Sequence, residues 1–355
     1  MKGIILHGGH GTRLRPLTHT GPKQLLPIAN KPMSEFCLES IKETGIIDIA
    51  IIIGGLGANK VREYYGSGEN FGVNISYIEQ DEPRGIAHAI RLCKEFIENE
   101  KFLVFLGDNI IQRSISGFVK NFENSQFDAT LLLCEVDNPS RFGIANVKND
   151  KITKIIEKPK NPQSNLAVTG IYLLNPNIFD IIDNLKPSWR NELEITDALD
   201  ILLKQNDNIS FEVITDYWKD TGTPDDIIHA NGEVIKKMSD YFYGEKDNDV
   251  KISGKVLVDK NSKIHSNVSI TGPVIIGKNC QINSGVIIGP NTSIGDNSIL
   301  NNGNIENSII MENCEIDSKI KIKNSIISKN SKIIQSSESN GEKIFLLGEG
   351  SKISL

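Results

Sequence analysis

Glycines and basic residues cluster in the segment GGHGTRLRPLTHTGPKQLLP, which runs from position 8 to position 27. Gly8, Gly9 and Gly11 allow successive backbone amides to turn toward one concavity, and such a nest binds phosphate oxygens. Arg13 and Lys23 add two positive charges, and an arginine can hold an oxyanion with two hydrogen bonds. A short apolar run at residues 4–6 predicts a buried strand just before the loop. The segment therefore predicts a site for a phosphate-bearing ligand at the end of that strand.

Neither common nucleotide-binding fingerprint fits this loop. The dinucleotide pattern needs a third glycine at position 14, where Leu14 stands, and no Gly-Lys-Ser or Gly-Lys-Thr tripeptide occurs in the chain. The alternative is a surface turn rich in glycine and proline. That alternative is the weaker one, because three glycines and two basic residues beside a strand end rarely coincide without a function.

Strands and helices alternate through the first hundred residues and must position this loop. Apolar runs predict strands at 48–53, 73–78 and 102–106, and amphipathic patterns predict helices at 32–44, 59–65 and 85–97. This alternation is typical of an α/β fold with a mostly parallel sheet. Residues 128–174 are predicted to be mostly extended, with a strand at 209–214 and a helix at 224–238. Ligands of such sheets bind at the carboxyl ends of the strands.

Polar residues follow two of these predicted strands. Gln80 lies in QDEPRGIAHA after the third strand, and its amide suits the edge of a pyrimidine base. Gly85 opens the next helix, where a bulky side chain would block a base. Asp108 lies in LGDN after the fourth strand, and its carboxylate suits Mg²⁺ beside a triphosphate. On spacing alone, a polar loop and an Asx turn remain alternatives for these residues.

The segment from Gly8 to Lys23 resembles the signature of the sugar nucleotidylyltransferases, G-G-x-G-T-R-L-x-P-x-T-x-x-x-P-K, at every fixed position. The resemblance is to the glucose-1-phosphate thymidylyltransferases, in the long form that carries a C-terminal β-helix. It implies dTTP and glucose 1-phosphate as substrates and Mg²⁺ as the cofactor. Two residues depart from the family pattern, since His7 stands where alanine is usual and His10 where a small residue is usual.

The resemblance also implies roles for individual residues. Arg13 and Lys23 are predicted to be catalytic, and Asp108 and Asp220, the latter from YWKDTGTPDD, to bind the metal. The predicted nucleotide-binding residues are Leu6, Gly8, Gly9, Gly11, Thr12, Arg13, Gln80, Gly85 and Asp108. The predicted sugar-phosphate residues are Phe142 and Gly143 from RFGIANV, Glu157 and Lys158 from IIEKP, and Val168 from VTGIYLL. Phe142 stands where short relatives often have tyrosine, so a pocket hydroxyl is lost.

The last third of the chain carries a repeat of six residues. Aliphatic residues recur at Ile252, Val258, Ile264, Ile270, Ile276, Ile282, Ile288, Ile294 and Leu300. This hexad repeat is typical of a left-handed parallel β-helix whose aliphatic side chains stack inside. The period slips near residues 302–305 and resumes through Ile310, Ile316 and Ile322. The ending, residues 344–355, is predicted to cap the β-helix or to pack against a neighbour.

Size and charge limit the class of protein. The chain has 355 residues, and a boundary between 243 and 244 would separate the nucleotidyltransferase domain, 1–243, from the β-helix, 244–355. The net charge of -6 argues against a nucleic-acid partner. No apolar run reaches the length of a membrane span or a signal peptide, and no two of the five cysteines form a CxxC pair. A cytoplasmic homo-oligomer is expected.

Two rival functions stay open at this point. The first is a UTP-dependent uridylyltransferase, either alone or combined with acetyl transfer, for which His265 is the one candidate base in the repeat. A structural role for the β-helix is favoured over acetyl transfer. The second is a regulatory homologue without catalysis, and the joint retention of Arg13, Lys23, Asp108 and Asp220 argues against it.

Overall fold

The computed structural model describes residues 1–9, 11–206 and 208–335. Backbone contacts divide the chain into two compact units, and both are discontinuous in sequence. The first comprises Met1–Gly11, Thr18–Leu25 and Met33–Asp220, and the second comprises Thr12–Leu17, Leu26–Pro32 and Thr221–Leu355. The predicted domain boundary at 243/244 stays a prediction.

The first unit is a mixed α/β structure. In chain order its elements are β1 (Lys2–Leu6), α1 (Met33–Glu43), β2 (Asp48–Ile53), α2 (Ala58–Tyr65), β3 (Asn74–Glu79), α3 (Ile86–Arg91), α4 (Lys94–Ile97), β4 (Phe102–Leu106), β5 (Asn109–Ile111), α5 (Ser116–Glu123), β6 (Ala129–Glu135), β7 (Gly143–Lys148), β8 (Lys151–Glu157), β9 (Leu166–Leu174), α6 (Ile178–Asp183), α7 (Ile195–Asn206), β10 (Ile209–Ile214) and β11 (Trp218–Asp220).

The main sheet has the strand order β8-β7-β9-β4-β1-β2-β3; in addition, β6 pairs with β9, and β10 pairs with β6. The four strands β4, β1, β2 and β3 are parallel, as the alternation of strands and helices predicts. The strands that pair with β9 run antiparallel to it. The predicted α/β fold class is confirmed, with a Rossmann-like parallel arrangement of the four strands β4, β1, β2 and β3.

Apolar runs on the central strands explain this parallel core. Ile4 and Ile5 on β1, and Ile51 and Ile52 on β2, are fully buried, with alternate residues in two separate core clusters on the two faces of the sheet. Burying one isoleucine side chain contributes about 2 kcal/mol. A strand that is apolar on both faces is stable only where helices cover both.

The predicted strands at 48–53, 102–106 and 209–214 are confirmed to the residue. The prediction of one helix over 85–97 was wrong, because the chain forms two shorter helices, α3 and α4. The Cys93 amide donates to the Ile90 carbonyl at 2.9 Å, which tightens the turn and ends the first helix.

The second unit is a parallel β-helix preceded by one long helix, α8 (Pro224–Lys237). The unit also contains a separate antiparallel pair of short strands, Pro27–Ile28 and Lys31–Pro32. The strands of the β-helix are Glu245–Lys246, Lys251–Ser253, Val256–Val258, Lys263–Ile264, Ser269–Thr271, Val274–Ile276, Gln281–Ile282, Ile287–Ile288, Thr292–Ile294, Ile299–Glu306, Ile309–Ile310, Glu315–Lys323, Ile326–Ile327 and Lys332–Ile334. Coils stack in parallel register, so Val256 pairs with Val274, and Val274 with Thr292.

The hexad residues from Val258 to Leu300 are all buried and form one core with Ile310, Ile316 and Ile322. Ile252 is the exception, since it is 36% exposed on the last strand of its sheet. Among the described residues no coil stacks on the other side of that strand, so the prediction of a buried Ile252 was wrong. The structure shows the predicted slip of the six-residue period, because asparagine side chains form hydrogen bonds from one coil to the next. The bonded asparagines lie 18 residues apart before the slip and 16 or 17 residues apart across and after it. The predicted cap at 344–355 lies outside the described residues.

None of the helices in the described part of the chain is long and apolar enough to span a lipid bilayer.

Candidate active site

A cavity of about 210 Å³ lies beside the carboxyl ends of β1, β3 and β4. It collects six of the nine predicted nucleotide-binding residues, although they are spread over a hundred positions of sequence. The lining residues are Leu6, Gly8, Gly9, Gln24, Gln80, Pro83, Gly85, Ile86, Ala89, Leu106, Asp108 and Glu192. The parallel sheet explains this convergence, because loops that follow neighbouring parallel strands leave the sheet on the same side.

Three predicted residues of the loop lie outside this cavity lining. Gly11 has a φ of 58°, and its carbonyl accepts a hydrogen bond from the Thr18 hydroxyl at 2.8 Å. Thr12 and Arg13 form a short 3-10 turn, Thr12–Leu14, in which both side chains are exposed while Leu14 is buried. His10, the second departure from the family pattern, lies outside the described residues.

The two aspartates predicted to bind a metal come together across a strand pair. The short strands β5 and β11 are antiparallel, and Asp220 pairs with Asn109, the residue next to Asp108. The two residues are 112 positions apart in the chain, so their spacing does not show their proximity, whereas the pairing of β5 with β11 does. This pairing brings two carboxylates to one edge of the fold.

Asp108 is held by a network of neighbours. The Lys23 ammonium donates to Asp108 Oδ2, and Asn109 Nδ2 donates to Asp108 Oδ1 at 3.0 Å. Trp218 Nε1 in turn donates to Asn109 Oδ1 at 2.8 Å. Burial raises the pKa of Asp108. The charge and hydrogen bond of Lys23 and the amide of Asn109 lower it by more than burial raises it, so the pKa of Asp108 lies below the usual value. Asp108 is therefore an anion near neutral pH.

These carboxylates fit a magnesium ion that arrives with its substrate. Within the described part of the chain, no three His, Cys, Asp or Glu side chains are grouped as a ready-made metal cage. Mg²⁺ rarely needs such a cage, because it is usually held by one or two carboxylates together with water and substrate phosphates. The two carboxylates on the paired strands, Asp108 and Asp220, would suit such a donor set.

Gly85 is required for a reason that the sequence analysis missed. Its φ is 107°, and a Cβ atom there would lie 2.4 Å from the Leu193 carbonyl oxygen. Any side chain would collide with that backbone, whether or not a base is bound. The Ala87 amide also donates to the Leu193 carbonyl at 3.0 Å, which ties the start of α3 to the segment before α7.

The predicted sugar-phosphate residues gather where β7 pairs with β8. Gly143 pairs with Glu157, and a Cβ atom at Gly143 would lie 3.2 Å from Glu157 Oε2. Lys158 has a φ of 41°, and its amide donates to the Phe142 carbonyl at 3.0 Å. Val168 lies buried on β9. Their roles in binding stay predictions.

Arg190, which the sequence did not single out, is a second cation beside this cluster. Its guanidinium lies 3.4 Å from Glu157 Oε1, 2.9 Å from Glu192 Oε1 and 3.2 Å from Glu194 Oε1. Burial raises the pKa of Glu194 above its usual value, and the charge of Glu157 adds to this effect, while Arg190 opposes it. The only sequence signal was an arginine two and four residues before two glutamates, and that spacing commonly marks a solvated surface.

His7 directly follows β1 and is buried. It is 2% exposed, and neither ring nitrogen has a hydrogen-bond partner among the described residues. Burial lowers the pKa of His7 to about 3, although the negative charge of Asp108 acts in the opposite direction. The imidazole is therefore neutral under physiological conditions and does not serve as a phosphate-binding cation.

Comparison with known proteins adds independent information to this geometry. A family model described as nucleotidyl transferase matches residues 2–237, and a second model, the GMPPB C-terminal domain, matches residues 270–354. The chain belongs to the nucleotidyl transferase family. It is thus an enzyme of the sugar nucleotidyltransferase class, with nucleoside triphosphate and sugar phosphate substrates in the general sense.

Individual relatives carry more specific descriptions. A low-salt glycan biosynthesis nucleotidyltransferase of Haloferax volcanii is 45% identical over 72% of both chains, and a glucose-1-phosphate thymidylyltransferase of Streptomyces griseus is 38% identical over 75% of both. A solved Bacillus anthracis protein, described as a candidate glucose-1-phosphate thymidylyltransferase, is 42% identical with a TM-score of 0.64 over 68% of this chain and 98% of its own. A UDP-glucose pyrophosphorylase complexed with UDP-glucose is 29% identical with a TM-score of 0.61, over 67% of this chain and 99% of its own.

Proposed function

We propose that this nucleotidyltransferase transfers a thymidylyl group from dTTP to glucose 1-phosphate, giving dTDP-glucose and pyrophosphate. The observation that carries the proposal is the cavity in which the glycine loop, Gln80, Gly85 and Asp108 converge. A glycine nest suits phosphates, an amide suits a base edge and a carboxylate suits Mg²⁺. A nucleoside triphosphate offers all three of these partners in one molecule.

The reaction needs no nucleophile from the protein. A phosphate oxygen of glucose 1-phosphate attacks the α-phosphorus of dTTP, the bond from that phosphorus to the bridging oxygen breaks, and pyrophosphate leaves. The attacking phosphate is already ionised, so catalysis consists of positioning and charge neutralisation. Arg13 would stabilise the departing phosphates, and Lys23 would neutralise charge at the α-phosphate.

The contact between Lys23 and Asp108 supports a linked role for these residues. The ammonium of Lys23 neutralises the carboxylate that is proposed to bind metal. Mg²⁺ held by Asp108 and Asp220 would supply further positive charge to the triphosphate. Lys23 would then be released from Asp108 to act on the phosphate, so the ion pair keeps both groups near their working positions.

The sugar phosphate would bind at the cluster around Glu157. Its carboxylate can accept hydrogen bonds from sugar hydroxyls, and Lys158, whose ammonium lies 3.3 Å from Glu157 Oε1, can balance the sugar's phosphate. Thr196 Oγ1 donates to Glu157 Oε2 at 3.0 Å and fixes that carboxylate in one orientation. Arg190 adds a second cation to the same cluster.

One assay tests the proposal directly. Pyrophosphate release should be measured with dTTP, UTP, CTP, ATP and GTP, each with glucose 1-phosphate and with other sugar 1-phosphates. We expect the highest kcat/KM with dTTP and glucose 1-phosphate. Lys23→Ala should lower this value about a hundredfold or more, since removing one donor to developing charge typically has that effect. The matched control is Lys154→Ala, an exposed lysine on β8, and it should leave kcat/KM unchanged.

The second candidate is UTP-dependent transfer, and the likeness to a UDP-glucose pyrophosphorylase favours it. Thymine and uracil differ by one methyl group, which is worth about 1 kcal/mol in an apolar pocket, or several-fold in rate. Including dUTP in the assay separates the effect of the methyl group from that of the ribose hydroxyl. If UTP exceeds dTTP in kcat/KM, the thymidylyl assignment fails while the nucleotidyltransferase chemistry remains.

A further inference from the structure

The side-chain amide of Gln80 is held in one orientation at the edge of the cavity. Its Nε2 lies 2.9 Å from His88 Nδ1 and 3.4 Å from the carbonyl oxygen of Gly85. A backbone carbonyl can only accept a hydrogen bond, so the NH₂ end of the amide belongs on this side. Gln80 is 7% exposed, and a buried amide that turned over would set two acceptors against each other.

His88 completes this arrangement as an acceptor. The residue is 3% exposed on α3, within a segment that is otherwise apolar from Ile86 to Ile90. Burial lowers the pKa of His88, Arg84 and Arg91 lower it further, and Asp81 opposes them. The ring is thus neutral near pH 7. Since Nδ1 accepts from Gln80, the proton lies on Nε2.

The other end of the amide turns toward the cavity. A Cβ atom on Gly8 would lie 3.3 Å from Gln80 Oε1, so the absence of a side chain at Gly8 leaves this oxygen open at the glycine loop. Among the described residues, Oε1 accepts no hydrogen bond, and Gln80 and Gly8 both line the cavity. A ligand in the cavity therefore meets an acceptor here.

We propose that His88 is a positioning residue that sets the base specificity of this enzyme by locking Gln80 with its carbonyl oxygen toward the base. Thymine and uracil carry an N–H donor at N3, which complements this oxygen. Cytosine has an acceptor at N3, so its N3 would face Gln80 Oε1 with no proton between the two atoms. This inference rests on the proposed function, and it adds the residue that orients the amide of Gln80.

An unlocked glutamine could not discriminate in this way. The glutamine amide is nearly symmetric in shape, and rotation by half a turn exchanges its donor and acceptor ends. A site with a fixed acceptor rejects the wrong base strongly, because a buried polar pair is left unpaired. Removing the acceptor at His88 leaves only the longer contact to Gly85 to hold the orientation.

The test compares dTTP with dCTP, which share deoxyribose and triphosphate and differ only in the base. Binding of each by the full chain should be measured by calorimetry with Mg²⁺, and turnover with glucose 1-phosphate in parallel. The wild-type protein should prefer dTTP by about a hundredfold or more. His88→Leu, which has no acceptor, should reduce that preference at least about tenfold, mostly through tighter binding of dCTP.

A second variant separates this role from a structural one. His88→Gln offers an amide oxygen at a similar place and should retain the preference for dTTP. If His88→Leu instead weakens the binding of dTTP and dCTP equally, the ratio of the two affinities stays at the wild-type value. In that case His88 only supports the fold, and the inference is overturned. If His88→Leu does not fold, loss of the preference in His88→Gln overturns it as well.

The outcomes also distinguish this inference from the proposed function. A wild-type protein that binds dTTP selectively but turns over no sugar 1-phosphate refutes the proposed reaction and leaves the base-reading role intact. If the wild-type protein turns over dTTP and the preference for dTTP over dCTP is unchanged in His88→Leu, only the role of His88 is refuted. A protein that binds neither nucleotide refutes both.

Discussion

Burial of His7 should make the first unit, which comprises most of residues 1–220, less stable in mild acid. In the unfolded chain the imidazole titrates near its ordinary value of 6.5, whereas in the folded protein its pKa is about 3. Between these values the unfolded state binds a proton that the folded state excludes. The folded state therefore loses stability as the pH falls from 6.5 toward 3. At pH 5 this penalty is about 2 kcal/mol, at about 1.4 kcal/mol for each pH unit below 6.5.

Replacing His7 by alanine removes the titrating group and hence the penalty. The stability of His7→Ala relative to the wild-type protein should rise by about 2 kcal/mol between pH 7.5 and pH 5. Any loss of packing is the same at both values and cancels in this comparison. The pKa of Asp108 lies below its ordinary value of 3.8, so its ion pair with Lys23 is intact at both values.

Urea unfolding followed by tryptophan fluorescence provides the measurement. Both tryptophans of the chain, Trp189 and Trp218, belong to the first unit, so their emission reports that unit separately from the β-helix. The buffer should contain EDTA and no nucleotide, because ligands would add their own stabilisation. His265→Ala is the control, since that imidazole is 42% exposed and keeps its contact with water on folding. A stability difference for His7→Ala that stays flat from pH 7.5 to pH 5 would refute the reasoning.

Three further outcomes are expected. Asp108→Asn should lower kcat about a hundredfold or more, and EDTA should abolish wild-type turnover until Mg²⁺ is restored; near-normal activity of the variant would remove Asp108 from the metal site. Gly143→Ala would set a Cβ atom 2.5 Å from Thr196 Cγ2. The KM for glucose 1-phosphate should therefore rise about tenfold, while the KM for dTTP changes little. Equal changes in the two KM values would contradict a sugar-phosphate role. Acetyl-CoA should not be consumed with any amino-sugar phosphate, and acetyl transfer that disappears in His265→Ala would overturn the structural interpretation of the β-helix.

The sequence alone determined the features that depend on short spacing. The apolar runs of β2 and β4 are short and continuous, as in buried strands, and the hexads from Val258 to Leu300 repeat with the period of a β-helix. The positions of both were predicted to the residue. The signature from Gly8 to Lys23 is likewise a continuous segment. The prediction that Ile252 is buried failed because its burial depends on what stacks beyond the end of the β-helix, and no local pattern contains that information.

Only the tertiary structure decided which distant residues meet. Asp108 and Asp220 are neighbours because β5 pairs with β11, and Arg190 meets Glu157 because the segment before α7 reaches β8. The lock on Gln80 was invisible in sequence for a related reason. His88 lies in an apolar helical segment, where a histidine normally reads as a core residue, and only its direction toward Gln80 distinguishes it. Such contacts arise from the path of the whole chain, because the energy that orders them comes from packing between segments far apart in sequence.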